Sequence, residues 1–308
     1  MTKSNLNVVF FGNERLSTGL SRIRPYVLPS LIEHGYQVTA VVANQESSQR
    51  SSQHVLEVEE LAIKNQIPFL TPSRPLDILD QLAINDPSIG VLVAYGRIIP
   101  QALIDLFPLG IINLHPSLLP TYRGSTPIEQ VILDGADNTG VSIMQLSAKM
   151  DAGPILLQKE IMLVRNEQKS YLADKLLRLG SELILASLKQ VTAYSNKLII
   201  QDESLASYTP QITKSDGLID WSKSAQQIER QVRAYLGWPG SYAPIAHKDV
   251  TIVAAHTIPL SGKAGLTFRY EKHLAVYCGQ DALIIDRLKP AGKREMSGQE
   301  FLAGNSIV

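Results

Sequence analysis

Three residues of this chain have the types and spacing to do chemistry: Asn113, His115 and Asp151. Asn113 and His115 close the apolar run Ile111-Ile112-Asn113-Leu114-His115, which continues as Pro116-Ser117-Leu118-Leu119-Pro120-Thr121-Tyr122-Arg123-Gly124. On an extended backbone, residues two apart project to the same side, so the amide and the imidazole share one face. The prolines and the glycine then end regular structure. Asp151 sits in a second loop, Met150-Asp151-Ala152-Gly153-Pro154, after another strand-like segment at 139–146. Acyl transfer to an amine needs donors for the oxyanion that forms when nitrogen attacks a carbonyl. An Asn amide and a His ring can supply them, and the His can also move a proton. A nearby carboxylate orients the ring. No Ser or Cys nucleophile is needed if the acceptor amine attacks directly. Two other readings fit the same residues. Ser117, His115 and Asp151 could form a hydrolase triad, although no G-x-S-x-G elbow surrounds Ser117. Asn113 could instead cap a turn, with His115 a satisfied core residue. Spacing alone leaves all three open.

Such groups need a scaffold that brings two loops to one rim. Apolar runs at 6–11, 37–43, 68–70, 89–94 and 110–115 read as strands, separated by helical patterns at 26–33, 55–65 and 76–85. This alternation predicts an α/β fold with a parallel, doubly wound, Rossmann-like sheet, whose ligand chemistry belongs at the carboxyl ends of the strands. The first turn, Gly12-Asn13-Glu14-Arg15, lacks the spacing of a dinucleotide loop. At the next strand end, Ala94-Tyr95-Gly96-Arg97 is either a plain tight turn or a place where backbone approaches a flat ligand. Thr126 and Pro127 read as the cap and first turn of a helix ending at Gly135, and a long amphipathic helix is expected over 171–194. Beyond a polar, irregular stretch the texture changes to short strands at 251–255, 266–269, 274–278 and 282–285, with one helix at 225–235. The expected organisation is a catalytic domain over 1–195, a linker over 196–208 and a small OB-like β-barrel domain over 209–308.

At 308 residues with a formal net charge of zero, the chain has ample core for two domains and no global field directed at nucleic acid or membrane. Its one cysteine, Cys278, lies in an apolar run and reads as a buried, inert thiol in a reducing compartment. The six histidines are scattered, so no metal site is expected. No stretch near the start is long enough for a signal peptide or a membrane span, which leads to the expectation of a cytoplasmic protein. With no exposed apolar stripe asking for a partner, a monomer is expected.

Taken in order, Asn113-Leu114-His115-Pro116-Ser117-Leu118-Leu119-Pro120, Tyr122-Arg123-Gly124, Pro127-Ile128, Thr139-Gly140-Val141-Ser142-Ile143-Met144-Gln145 and Met150-Asp151-Ala152-Gly153 resemble the folate-dependent formyltransferases. In the second domain, Ile219-Asp220-Trp221, Arg233-Ala234-Tyr235, Trp238-Pro239 and Leu288-Lys289-Pro290-Ala291-Gly292-Lys293-Arg294-Glu295-Met296-Ser297 resemble the members that act on charged initiator tRNA. The resemblance implies transfer of a formyl group from 10-formyltetrahydrofolate to the α-amino group of methionine on initiator Met-tRNA, with no metal. It also implies Asn113, His115 and Asp151 as the catalytic set. Ser117, Leu118, Leu119 and Pro120 correspond to the folate-contacting motif, and Ala94, Tyr95, Gly96 and Arg97 to the pterin-pocket turn. Arg50, Arg123, Lys293 and Arg294 are the implied tRNA contacts, the 209–308 domain being the tRNA-binding one. The alternative within the family is an N-formyltransferase acting on an amino-sugar nucleotide. Two stretches depart from the family pattern: the Gly12–Arg15 turn, and the 44–54 loop, whose one basic residue is Arg50.

Overall fold

The computed structural model describes residues 6–20, 23–44, 56–190 and 198–305. Its first half alternates as expected: β1 (Asn7–Gly12), α1 (Val27–Glu33), β2 (Gln37–Val42), α2 (Glu57–Lys64), β3 (Phe69–Leu70), α3 (Leu79–Ala83), β4 (Ile89–Val93), α4 (Gln101–Ile104) and β5 (Ile111–His115). There follow β6 (Arg123–Gly124), α5 (Pro127–Asp134), β7 (Asn138–Gln145), β8 (Ile155–Met162) and the long α6 (Lys169–Lys189). Among the described residues the sheet has seven strands in the order β3-β2-β1-β4-β5-β7-β8. Strands β1 to β5 are parallel.

Strands β7 and β8 extend this parallel set in antiparallel sense, a direction that strand–helix alternation does not specify. β7 runs antiparallel to β5, and β8 antiparallel to β7. β8 is an edge strand whose middle, Gln158-Lys159-Glu160, is polar and exposed, so it carries no continuous apolar signal. Strand alternation splits the core into two layers. Val8, Phe10, Val91, Ile112 and Leu114 pack under α1, α5 and α6, while Val9, Phe11, Leu92 and Ile111 face the other side. Asn113 and His115 share the parity of Ile111 and lie on that second face.

The order β2-β1-β4 places a switch point between β1 and β4, where open sheets gather ligands. The two backbones are pressed together there. A Cβ on Gly12, whose φ is +126°, would lie 1.8 Å from the Val93 carbonyl oxygen, so glycine is obligatory. The atypical residues that follow have a structural task. Glu14 is buried, and its carboxylate accepts the backbone N–H groups of Tyr26 (2.7 Å), Val27 (2.9 Å) and Leu28 (2.8 Å), capping α1 from a distance. Thr126, expected to cap α5, instead donates its hydroxyl to the Pro210 carbonyl at 2.7 Å.

After β9 (Tyr208–Thr209), the second domain contains α7 (Ala225–Ala234), β10 (Ser241–Ile245), β11 (Lys248–Ile258), β12 (Thr267–Tyr270), β13 (His273–Tyr277), β14 (Ala282–Pro290), β15 (Met296–Ser297) and α8 (Gly298–Ala303). Among the described residues its antiparallel sheet runs β10-β11-β14-β13-β12, with β15 on β14, around a core that includes Ile228, Val250, Ile252, Val276, Ile285 and Phe301. This is the small β domain expected. β10 escaped the sequence reading because Pro244 interrupts it, which an edge strand tolerates.

The domains are docked. Arg230 lies over Gly135 and donates to the Asp134 carbonyl at 3.2 Å, and Arg233 donates to the Glu167 carbonyl at 2.8 Å. Among the described residues no helix is long and apolar enough to cross a membrane.

Candidate active site

Asn113 and His115 end β5 side by side, and both are almost fully buried. His115 Nε2 lies 2.9 Å from the Tyr122 carbonyl oxygen. A carbonyl only accepts, so Nε2 carries a proton, which fixes the ring's orientation. The other nitrogen, Nδ1, faces Asp151 Oδ2 at 3.8 Å. That same oxygen accepts the Gly124 backbone N–H at 2.8 Å. Among the described residues none hydrogen-bonds the Asn113 carboxamide, so both its N–H donors are uncommitted. The structure therefore brings the three expected residues to one strand end.

The backbone around them is specialised. Tyr122 and Asp151 have positive φ values of 59° and 50°, a conformation that non-glycine residues adopt only where neighbours enforce it. Gly153 presses against β7, since a Cβ there would lie 1.8 Å from the Gln145 carbonyl oxygen. The 117–120 turn is tied down by its own groups. The buried Ser117 hydroxyl donates to the Thr121 carbonyl at 2.7 Å. Ser142 on β7 donates to the Ser117 carbonyl at 2.7 Å and accepts the Leu119 N–H at 3.1 Å. The Ser117 and Leu119 side chains thus point into the protein, while Leu118 and Pro120 are half-buried.

At the end of β4, Ala94 and Gly96 take positive φ values of 53° and 73°. Among the described residues, none beyond its chain neighbours comes within 4 Å of where a Gly96 Cβ would stand. Tyr95 is buried edge-on to Phe11, its ring centroid 5.8 Å away, and among the described residues its hydroxyl has no partner. Burial pushes that phenol's pKa up. Arg97 is fixed by donating to the carbonyls of Pro72 (3.1 Å) and Ser73 (2.6 Å).

Arg123 corrects an expectation. It is fully buried and makes five hydrogen bonds: to Gln201 Oε1 from Nε (3.1 Å) and Nη2 (2.8 Å), to the Glu203 carboxylate from Nη1 (3.1 Å) and Nη2 (2.9 Å), and from Nη1 to the Tyr208 hydroxyl (3.0 Å). A guanidinium has five donors, so none is left for a tRNA phosphate. Lys293 and Arg294 are exposed beside the β14–β15 turn, and Arg50 lies outside the described residues. Sequence reasoning missed Gln201, Glu203, Ser207 and Tyr208 altogether, because their stretch shows no periodicity and looked like linker.

Comparison with known proteins places this geometry in a family. The formyl transferase profile matches residues 28–188, and the profile of the formyl transferase C-terminal domain matches 211–306. Methionyl-tRNA formyltransferase of Chloroflexus aggregans is 34% identical over 307 residues, covering 97% of both chains. Among solved structures, an N-formyltransferase from Helicobacter canadensis in complex with folinic acid and dTDP-3-aminofucose superposes with a TM-score of 0.68 at 18% identity, covering 91% of this chain and 98% of that one. HypX from Aquifex aeolicus in complex with tetrahydrofolic acid superposes with a TM-score of 0.65 at 15% identity, and 97% of this chain corresponds to 47% of that one. At such identities the likeness to solved structures concerns the fold alone. Matched by both profiles in order and by a full-length relative above 30% identity, the chain belongs to the formyl transferase family, alongside the methionyl-tRNA formyltransferases.

Proposed function

We propose that this protein transfers a formyl group from 10-formyltetrahydrofolate to the α-amino group of methionine on initiator Met-tRNA, in the cytoplasm. The observation that carries the reading is end-to-end similarity to a methionyl-tRNA formyltransferase, joined to an amide, an imidazole and a carboxylate at one strand end. The catalytic set is Asn113, His115 and Asp151. Residues 94–97 and 117–120 would hold the folate. The partnerless Tyr95 hydroxyl and the open space at Gly96 suit a flat ring with polar edges. Lys293 and Arg294 would meet the tRNA backbone. The natural division is a catalytic domain over 1–195, a connector over 196–208 and a tRNA-binding domain over 209–308, in a monomer.

When bound, the folate supplies a formyl carbon carried on a nitrogen that can leave. The residues of this chain do the rest. Asn113 donates its free amide N–H to the oxygen that gains charge as the amine attacks. His115 has Nε2 committed to Tyr122, so Nδ1 carries the lone pair: it can accept the amine's proton and, once charged, donate to that oxygen or pass the proton to the departing nitrogen. Asp151 faces Nδ1 and balances the charge the ring acquires. The test is to follow formation of tetrahydrofolate with charged initiator Met-tRNA or an amino-sugar nucleotide as acceptor. Turnover with the tRNA is expected. Turnover with the sugar alone would contradict the proposal.

A further inference from the structure

We infer that the connector between the domains is a positioning element of the active site, with Gln201 as its central residue, and that it holds both partners of His115. The inference rests on the assignment of Asn113, His115 and Asp151 proposed above. The Gln201 carboxamide is almost fully buried, and its Nε2 donates to the carbonyls of Asp151 (2.9 Å) and Gly153 (2.7 Å). Its Oε1 accepts two bonds from Arg123. Flipping the amide would set an oxygen against two carbonyls and an NH2 against a guanidinium, so the orientation is unambiguous. Arg123 in turn precedes Gly124, whose N–H holds the Asp151 carboxylate. On the other side of the ring, Ser207 Oγ accepts the Tyr122 N–H at 2.8 Å, fixing the residue whose carbonyl receives His115 Nε2. Arg123 and Gly124 also pair with Tyr208 and Thr209 as strands β6 and β9. Asp151 and Tyr122 are both held at positive φ, and the connector supplies the bonds that hold them there.

Gln201→Glu separates this role from a merely structural one. Glutamate still accepts from Arg123, and with added charge, so the buried guanidinium keeps its partner. Its other oxygen, standing where the amide nitrogen was, is turned against both the Asp151 and Gly153 carbonyls. The expected result is a fall in kcat of about ten- to a hundredfold, the size that a small misplacement of reacting groups produces, with KM for Met-tRNA and folate within about threefold of wild type. Gln201→Ala should show the same split. A second readout does not depend on the acceptor: the 15N-imidazole NMR signals of His115, assigned with His115→Gln, should move in Gln201→Glu. Wild-type kcat in Gln201→Glu, or unmoved His115 signals, would overturn the inference. A wild-type protein inert towards Met-tRNA would instead overturn the proposed function, and the His115 signals would still decide the role of the connector.

Discussion

His115 sits between a carbonyl that fixes its proton and a carboxylate that faces its other nitrogen. Replacing it with alanine should lower turnover about a hundredfold or more, because both a donor to the oxyanion and a route for the proton are removed. Circular dichroism should show an unchanged fold, and near wild-type turnover would refute the assignment. Cys278 is the opposite kind of residue. Burial pushes its thiol up to about 11, so a thiol reagent at pH 8 should label it only after unfolding. Asn113 and His115 were legible in the sequence because strand parity alone puts them on one face. Arg123 was not. A Tyr-Arg-Gly turn among prolines looks solvent-exposed, and its burial is decided by Gln201, Glu203 and Tyr208, about 80 residues further on in the chain.

Helix and sheet boundaries in the first half followed from period and punctuation, and the helix through Pro127–Asp134 ends at Gly135 with φ +64° as glycine allows. The direction of β7 did not follow, since strand–helix alternation reads the same whether the last strand returns parallel or antiparallel. The Gly12–Arg15 turn also looked merely aberrant until Glu14 was seen to close the amino end of α1. Glu14→Ala would leave three backbone donors unpaired, two of them buried, and should cost about 2 kcal/mol in urea unfolding. A variant of unchanged stability would show that the cap contributes nothing.

The connector has a predictable response to acid. Hydrogen bonding from Arg123 holds the Glu203 carboxyl below its usual range. A carboxylate with a depressed folded value contributes stability above its unfolded value near 4.5, and loses it as pH falls through the folded one. Hydrogen-exchange protection of residues 203–209 should therefore weaken below about pH 4, and Glu203→Gln should remove that dependence. Equal acid sensitivity in the variant would count against the pair.

At the scale of the whole molecule, the two domains are joined by more than a covalent link. Lys169 on α6 is buried, 3.8 Å from Glu129 on α5, and donates to the carbonyls of Thr18 (2.9 Å) and Trp238 (3.2 Å), the latter in the second domain. Ser17 donates to the same Glu129 oxygen at 2.5 Å. Lys169→Met would strand a buried carboxylate and should destabilise the protein by about 3 kcal/mol or more, with Lys169→Met/Glu129→Met recovering part of the loss. Additive losses in the double variant would show that the two charges do not act as a pair. None of this clamp was visible beforehand, because its members lie far apart in sequence and each alone reads as a surface charge. The two-domain plan was visible, since composition and periodicity change between the halves.

The central claim is that Asn113, His115 and Asp151 move a formyl group onto the amine of Met-tRNA. Its most direct test is formylation of charged initiator Met-tRNA with 10-formyltetrahydrofolate by the wild-type protein and by Asp151→Asn. Transfer by the first and its loss in the second is the predicted result. Equal transfer by both, or none by the wild type, would contradict it.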